Sequence, residues 1–334
     1  MNGILSSNIH RNFTFYGRIL FLKQFVLSQA IHLAHVLPCS KTHANNIRKS
    51  FGKFMWSRRV EHPSLNVLIR PRHLGGLAAI LPFEFFQSLF VKTLHKSLIH
   101  PEGPERATAV YWLAHPLGKH FPHLFRKPSA SLSSPPAYIT SNIETCTKLL
   151  DAGLLTPSST ANHREIYNYL VSGSAQQGRT EIARPELDWE SIWKWVAKIR
   201  GRDGEMVWDF NHNQLATKPR LKRLHFTDDD ICPICKLEPE TDEHLMLHCP
   251  ARLENSTWLR IQLTKLKCTR PIRDAIHGDI GTCPNRKSTQ ALIQTYITAT
   301  WTARNRRMVP TISELQSLWQ TLLQQQTPLR PALT

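Results

Sequence analysis

The sequence predicts a mainly α-helical protein with one small metal knuckle in its C-terminal half. Apolar residues recur at three- and four-residue spacings over long stretches, and no strand-length alternation rises above background. A third observation is the clustering of Cys232, Cys235, His244 and Cys249, four ligand-type residues close together in a chain of 334. That length suits about two domains and a core that forms without disulfide staples.

The elements follow in order. Between 17 and 37, Ile19, Leu20, Leu22, Phe25, Val26, Ala30 and Leu33 fall on helical spacing, and Pro38 stops the helix. Ile47, Phe51, Phe54 and Met55 mark a second amphipathic helix closing near Trp56. A loop with Pro63, Pro71 and Gly75-Gly76 comes next, then an apolar helix over 83–98, broken by Pro101 and Pro104. Residues 1–100 thus form a helical segment. KPSASLSSPPA, inside 101–137, reads as a Ser/Pro-rich linker and the main domain boundary. In 138–204, short helices are expected over 143–155 and 163–171, and Trp189, Ile192, Trp193 and Val196 share one face of another. Residues 205–260 open with a helix over 205–215 and carry the knuckle; 261–334 reads as a basic helical tail.

Charge narrows the partners. Lys and Arg number 42 against 25 Asp and Glu, a formal net charge of +17. Residues 1–100 hold 13 Lys and Arg against only Glu61 and Glu84, a net of +11. A polyanion accounts for such asymmetry, because each neutralised phosphate releases counterions. RNA or DNA is therefore the expected partner, with an anionic membrane surface as the alternative. Arg58, Arg59, Arg70 and Arg72 flank the Gly75-Gly76 turn, and Arg304, Arg306 and Arg307 cluster in the tail. These seven are the expected phosphate contacts; the competing interpretation is a solvated basic face. Lys23, Gln24, Gln29, His32 and His35 interrupt the longest apolar run, so no membrane span is expected. Residues 1–11 lack the basic-then-apolar order of a signal peptide, so the expectation is an intracellular protein, nuclear or cytoplasmic.

Seven cysteines, three of them clustered, argue for metal rather than a disulfide framework. Cys232-Pro-Ile-Cys235 grips an ion from a tight turn, and His244 and Cys249 close the set from a short helical turn. Three thiolates and one imidazole suit a structural Zn²⁺, one per chain, with no open position for hydrolysis. His248 is the rival imidazole, but it adjoins Cys249, and neighbouring residues rarely share one ion. Buried free thiols are the bland alternative. A thioredoxin-like use of Cys232 and Cys235 lacks its strand and helix.

Cys232-Pro-Ile-Cys235, Glu240-Thr-Asp-Glu-His244-Leu and Cys249-Pro, with Trp258 following, resemble the zinc-binding region of non-LTR (LINE-type) retrotransposon reverse transcriptases. The run from Phe210 to Leu221 resembles the helix and loop preceding that knuckle. The N-terminal part matches the same proteins independently, in the stretch from Gly17 to Pro38, in Phe54-Met55-Trp56, and in Pro71-Arg72-His73-Leu74-Gly75-Gly76-Leu77. The two matches cover roughly 13–100 and 205–260. The resemblance implies a post-palm, thumb-like segment followed by a zinc-binding domain, with the rest of a reverse transcriptase as a possible partner. Trp56 is read as a core anchor ahead of a base-stacking platform.

Polymerisation in that family needs aspartates that hold Mg²⁺, and residues 1–100 contain none. Phe226-Thr227-Asp228-Asp229 mimics the metal-binding hairpin, but its flanks are not apolar strands, and a polar loop is the expected role. The expectation is a non-catalytic, nucleic-acid-gripping C-terminal portion. The alternatives are a zinc-stabilised protein-interaction module and an inactive relic of the element.

Overall fold

The computed structural model describes the chain apart from residues 1, 12, 57–64, 101–103, 125–135, 176–185, 200 and 327–334. The fold is mainly helical, as expected. Among the described residues no strand forms; Leu155 with Thr160 and Ile231 with Pro239 make isolated β-bridges. Two compact units emerge, each discontinuous in sequence. One holds Met1–Asn12, Gly17–Arg58 and Ala79–Thr180; the other holds Phe13–Tyr16, Arg59–Ala78 and Glu181–Thr334.

The helix Pro82–Ile99 is the spine of the first unit. Proline at its start suits the first turn, where the missing amide has no acceptor to serve. Phe86, Leu89, Phe90, Val91 and Leu98 are buried, facing the helices Ser28–Val36, Lys41–Trp56, Pro104–Leu113, Ala137–Asp151 and His163–Ala175. The expected linker is corrected here. Residues 104–124 of the 101–137 segment are folded, with a helix over Pro104–Leu113 and a 3₁₀ turn over Pro122–Leu124. Ala109, Leu113, Leu117 and Phe121 recur every fourth residue and bury against Leu149 and Ile166. Helical periodicity thus outweighs the prolines at either end. The Ser/Pro run itself lies outside the described residues.

The first long helix runs Phe15–Val36, with a π-helical turn over Leu22–Leu27. Its most apolar 18-residue window has a mean hydropathy of 1.3, long and apolar enough by length and composition to cross a membrane, with 33% of the window buried inside the fold. Its polar interruptions therefore do not exclude it from that class. Val26, Leu27 and Ala34 are buried, while Phe25, Leu33 and Val36 are exposed.

In the second unit, Gly75-Gly76 is a packing device. Gly75 takes a left-handed φ of 84°, and its carbonyl accepts hydrogen bonds from Trp208 Nε1 (3.3 Å) and His212 Nε2 (2.7 Å). Trp189 stacks on the His212 ring at 4.7 Å. A Cβ on Gly76 would lie 2.0 Å from the Arg70 carbonyl oxygen, so only glycine fits. Asp188 caps the helix Trp189–Val196 by accepting from the Ser191 amide at 3.1 Å.

The expected tail is also corrected. Arg286–Asn305 is a core helix, with Ala291, Leu292, Ile293, Tyr296 and Ile297 all fully buried. It packs against Arg202–Asn211, Leu253–Lys265 and Ile312–Gln326. Seven consecutive positions, Ala291 to Ile297, are buried, so the middle of the helix presents no face to solvent.

Candidate metal centre

The knuckle is built by backbone hydrogen bonds. The Cys232 amide donates to the Glu238 carbonyl (2.8 Å) and the Lys236 amide to the Cys232 carbonyl (2.9 Å), folding Pro233-Ile234-Cys235 back on itself. Lys236 pays for that turn with a left-handed φ of 60°. Thr241 Oγ1 accepts from the His244 amide at 3.0 Å and starts a π-helical turn over His244–His248. The Cys249 amide then donates to the His244 carbonyl at 2.8 Å, a five-residue closure that brings ligand positions 244 and 249 to one side.

The four ligand atoms lie within 4.8 Å of one another. Cys232 Sγ is 4.0 Å from Cys249 Sγ, and Cys235 Sγ is 3.4 Å from His244 Nε2. Zn–S bonds of about 2.3 Å on a tetrahedron place sulfurs roughly 3.8 Å apart, so the spacing fits zinc. His244 Nδ1 meets Glu238 Oε2 at 3.0 Å, which fixes the ring and leaves Nε2 for the metal. His248 takes no part. Its side chain is 62% exposed and lies 3.5 Å from Glu243.

Electrostatics favour a cation here. Burial and the neighbouring Cys232 sulfur push the Cys249 thiol up to about 12. Burial also opposes ionisation of Cys235, but the amides of Leu237 and Glu238 outweigh it and bring that thiol down to about 7. Three thiolates in this space need a positive ion to coexist. A Cys₃His set around Zn²⁺ carries a net charge of −1, and Arg252, 1% exposed, lies close enough to feel the Cys249 and Cys232 sulfurs. The residues present therefore fit zinc. Bound, it would cross-link the turn and the helical segment; the closed donor set supplies structure.

Three supports were not evident from sequence. Glu240, fully buried, accepts from Lys218 N at 2.9 Å and from two nitrogens of Arg304. Arg252 donates to the carbonyls of Leu245 (3.5 Å) and Met308 (3.3 Å). Tyr296 Oη donates to the Met246 carbonyl at 2.6 Å. Glu240 stands in the ETDEHL run, but nothing in its spacing names a partner 64 residues away.

The seven arginines divide. Arg304 is corrected: it is committed to Glu240 and to the face of Trp301, 5.1 Å from the ring centroid, which removes it as a phosphate contact. Arg306 and Arg307 are exposed. Arg72 is exposed and lies over the Tyr16 ring at 4.9 Å; Arg70 is half-buried, its pKa lowered by burial. Arg58 and Arg59 lie outside the described residues. In the acidic loop, Asp229 pairs with Lys218 at 3.1 Å and Asp230 with Lys222 at 3.2 Å.

No curated protein matches the chain. A family model does, beginning upstream of the expected start at 205. Residues 163–258, a span that includes all four ligands and Glu240, match the family described as zinc-binding in reverse transcriptase, and the chain thus carries a reverse-transcriptase-type zinc-binding domain.

Proposed function

We propose that this chain is a non-catalytic, nucleic-acid-gripping portion of a non-LTR-type retrotransposon reverse transcriptase, holding one structural Zn²⁺ and contacting RNA template or target DNA. The observation that carries this is the closed Cys232, Cys235, His244 and Cys249 set inside the matched segment, on a chain of net charge +17. Arg70, Arg72, Arg306 and Arg307 serve as phosphate contacts, and on sequence grounds Arg58 and Arg59 join them. Asp229 of Phe226-Thr227-Asp228-Asp229, and Asp230 after it, act as ion-pair partners for the basic helix Lys218–Arg223.

Titrating the purified protein with short RNA and DNA duplexes and single strands at several salt concentrations tests this. Affinity should fall from about 50 to 200 mM salt, with a log–log slope of roughly 0.7 to 0.9 per phosphate contact. Absent or salt-independent binding would refute the nucleic-acid grip. Primer extension abolished by Asp228→Ala/Asp229→Ala would refute the non-catalytic assignment.

One observation favours a second function, protein docking. Phe25, Leu33, Val36 and Leu37 are all more than half exposed in the first unit. Flat salt dependence together with self-association or capture of another polymerase segment would support it.

A further inference from the structure

The second unit holds a groove of about 700 Å³ lined by residues 202–226 of the zinc-binding segment and by the C-terminal end of the helix Arg286–Asn305. Its walls are apolar, from Met206, Leu215 and Leu221, and two aromatic rings face it, Phe226 and Trp301. Phe226 is 57% exposed, a costly placement for a large apolar ring unless something covers it. Arg202 and Arg306, both exposed, stand among the lining residues. Arg304 lies over the Trp301 ring and is itself held by Glu240, so the indole is fixed in place.

Apolar walls, two aromatic platforms and flanking guanidinium groups match the needs of an unpaired nucleotide. A base face stacks on an aromatic ring without regard to sequence, while cations neutralise the adjoining phosphates. Gln214 and Asn305 add amide groups that can meet base edges. The carboxylate of Asp209 also lines the groove; it suits a base amino group and disfavours a phosphate in its place. Of the three acids after Phe226, Asp229 and Asp230 are paired with Lys218 and Lys222, which leaves the charge of Asp228 to set against Arg202 and Arg306. A duplex buries its base faces and cannot use the rings.

We infer that this groove is a single-strand subsite, in which an unpaired base of RNA or DNA stacks against Trp301 and Phe226 while Arg202 and Arg306 hold its phosphates. The inference rests on the nucleic-acid grip proposed above and adds where and in what form the strand is held.

The test uses the full, zinc-loaded chain with three probes: a single-stranded RNA, the matching single-stranded DNA, and their duplex, the single strands carrying 2-aminopurine. The wild type should quench 2-aminopurine fluorescence on binding single strands. Phe226→Ala and Trp301→Ala should each weaken single-strand affinity about 10-fold and relieve the quenching, with duplex affinity within about twofold. Trp301→Phe should retain most of the single-strand affinity. Zinc content and melting temperature of each variant separate loss of stacking from loss of fold, and Phe226, on an exposed turn, is the variant that must remain folded. Unchanged single-strand binding in folded Phe226→Ala, or an equal loss for duplex and single strand, overturns the subsite and leaves the general grip standing. No binding of any probe by the wild type overturns both.

Discussion

Arg304 grips Glu240 with two nitrogens, Nε donating to Oε1 at 2.8 Å and Nη2 to Oε2, and Glu240 has no solvent exposure at all. The same carboxylate caps the amide of Lys218. One buried anion thus ties the knuckle's ETDEHL run to the core helix Arg286–Asn305 and to the basic helix Lys218–Arg223. Removing one partner leaves the other charge buried and uncompensated, which costs about 3–5 kcal/mol. Glu240→Ala and Arg304→Ala should each destabilise the second unit by roughly that much in chemical denaturation, and the double variant should lose far less than the sum. Additive losses would show that the two side chains are not coupled.

The metal set makes a sharper prediction. Cys235→Ser and His244→Ala should abolish stoichiometric zinc by elemental analysis, while His248→Ala, exposed and aimed at Glu243, should keep it. Glu238→Gln should weaken zinc affinity by about 10- to 100-fold without changing stoichiometry, because it removes the charged partner of His244 Nδ1. Zinc retained in His244→Ala and lost in His248→Ala would reverse the ligand assignment.

The glycine pair supplies a contrast between two substitutions of identical chemistry. Gly76→Ala would drive a Cβ to 2.0 Å from the Arg70 backbone oxygen, a contact that backbone must move to relieve. It should cost at least about 3 kcal/mol and lower the melting temperature markedly. Gly153→Ala meets nothing within 4 Å and carries only the strain of its φ of +72°, worth about 1–2 kcal/mol. Equal losses would mean that the loop around Arg70 yields easily.

How much of this was legible in sequence depends on the range of the interaction. The knuckle was legible, because CxxC and HxxxxC are local spacings with one chemical use, and the helices were legible from periodicity. The π-helical closure at His244–His248 was not, since it is set by Thr241 capping and by the Cys249 amide. Arg304 read as a surface cation because its partner lies in another element; charge runs give sign but not pairing. The linker reading extends over 104–124 because Pro101, Pro104 and the KPSASLSSPPA run are conspicuous while the four-residue rhythm of Ala109, Leu113, Leu117 and Phe121 is quiet. Gly75-Gly76 announced a turn, but not the Trp189, Trp208 and His212 packing that demands it.

The last prediction is a pH dependence read from two histidines remote from the metal. Burial pushes His95 in the first unit and His212 in the second down to about 4. Both stay neutral in the folded protein at pH 5, whereas in the unfolded chain they protonate near 6.5. The unfolded state therefore binds more protons through this window, and stability must fall as pH drops from about 6.5 towards 4. Each histidine contributes up to about 1.4 kcal/mol per pH unit there, so roughly 2 kcal/mol is lost per site by pH 5. Acid also strips zinc, and a simple melt at low pH would confuse the two. Asparagine at position 95 separates them. His95 Nδ1 meets Thr160 Oγ1 at 2.7 Å, a contact an asparagine amide can reproduce without titrating. His95→Asn should reduce the stability lost by the first unit between pH 7 and 5 by about 2 kcal/mol, roughly 1 kcal/mol per unit on average, and leave zinc retention as in the wild type. A slope identical in the two proteins would show that His95 is protonated in the fold at pH 5.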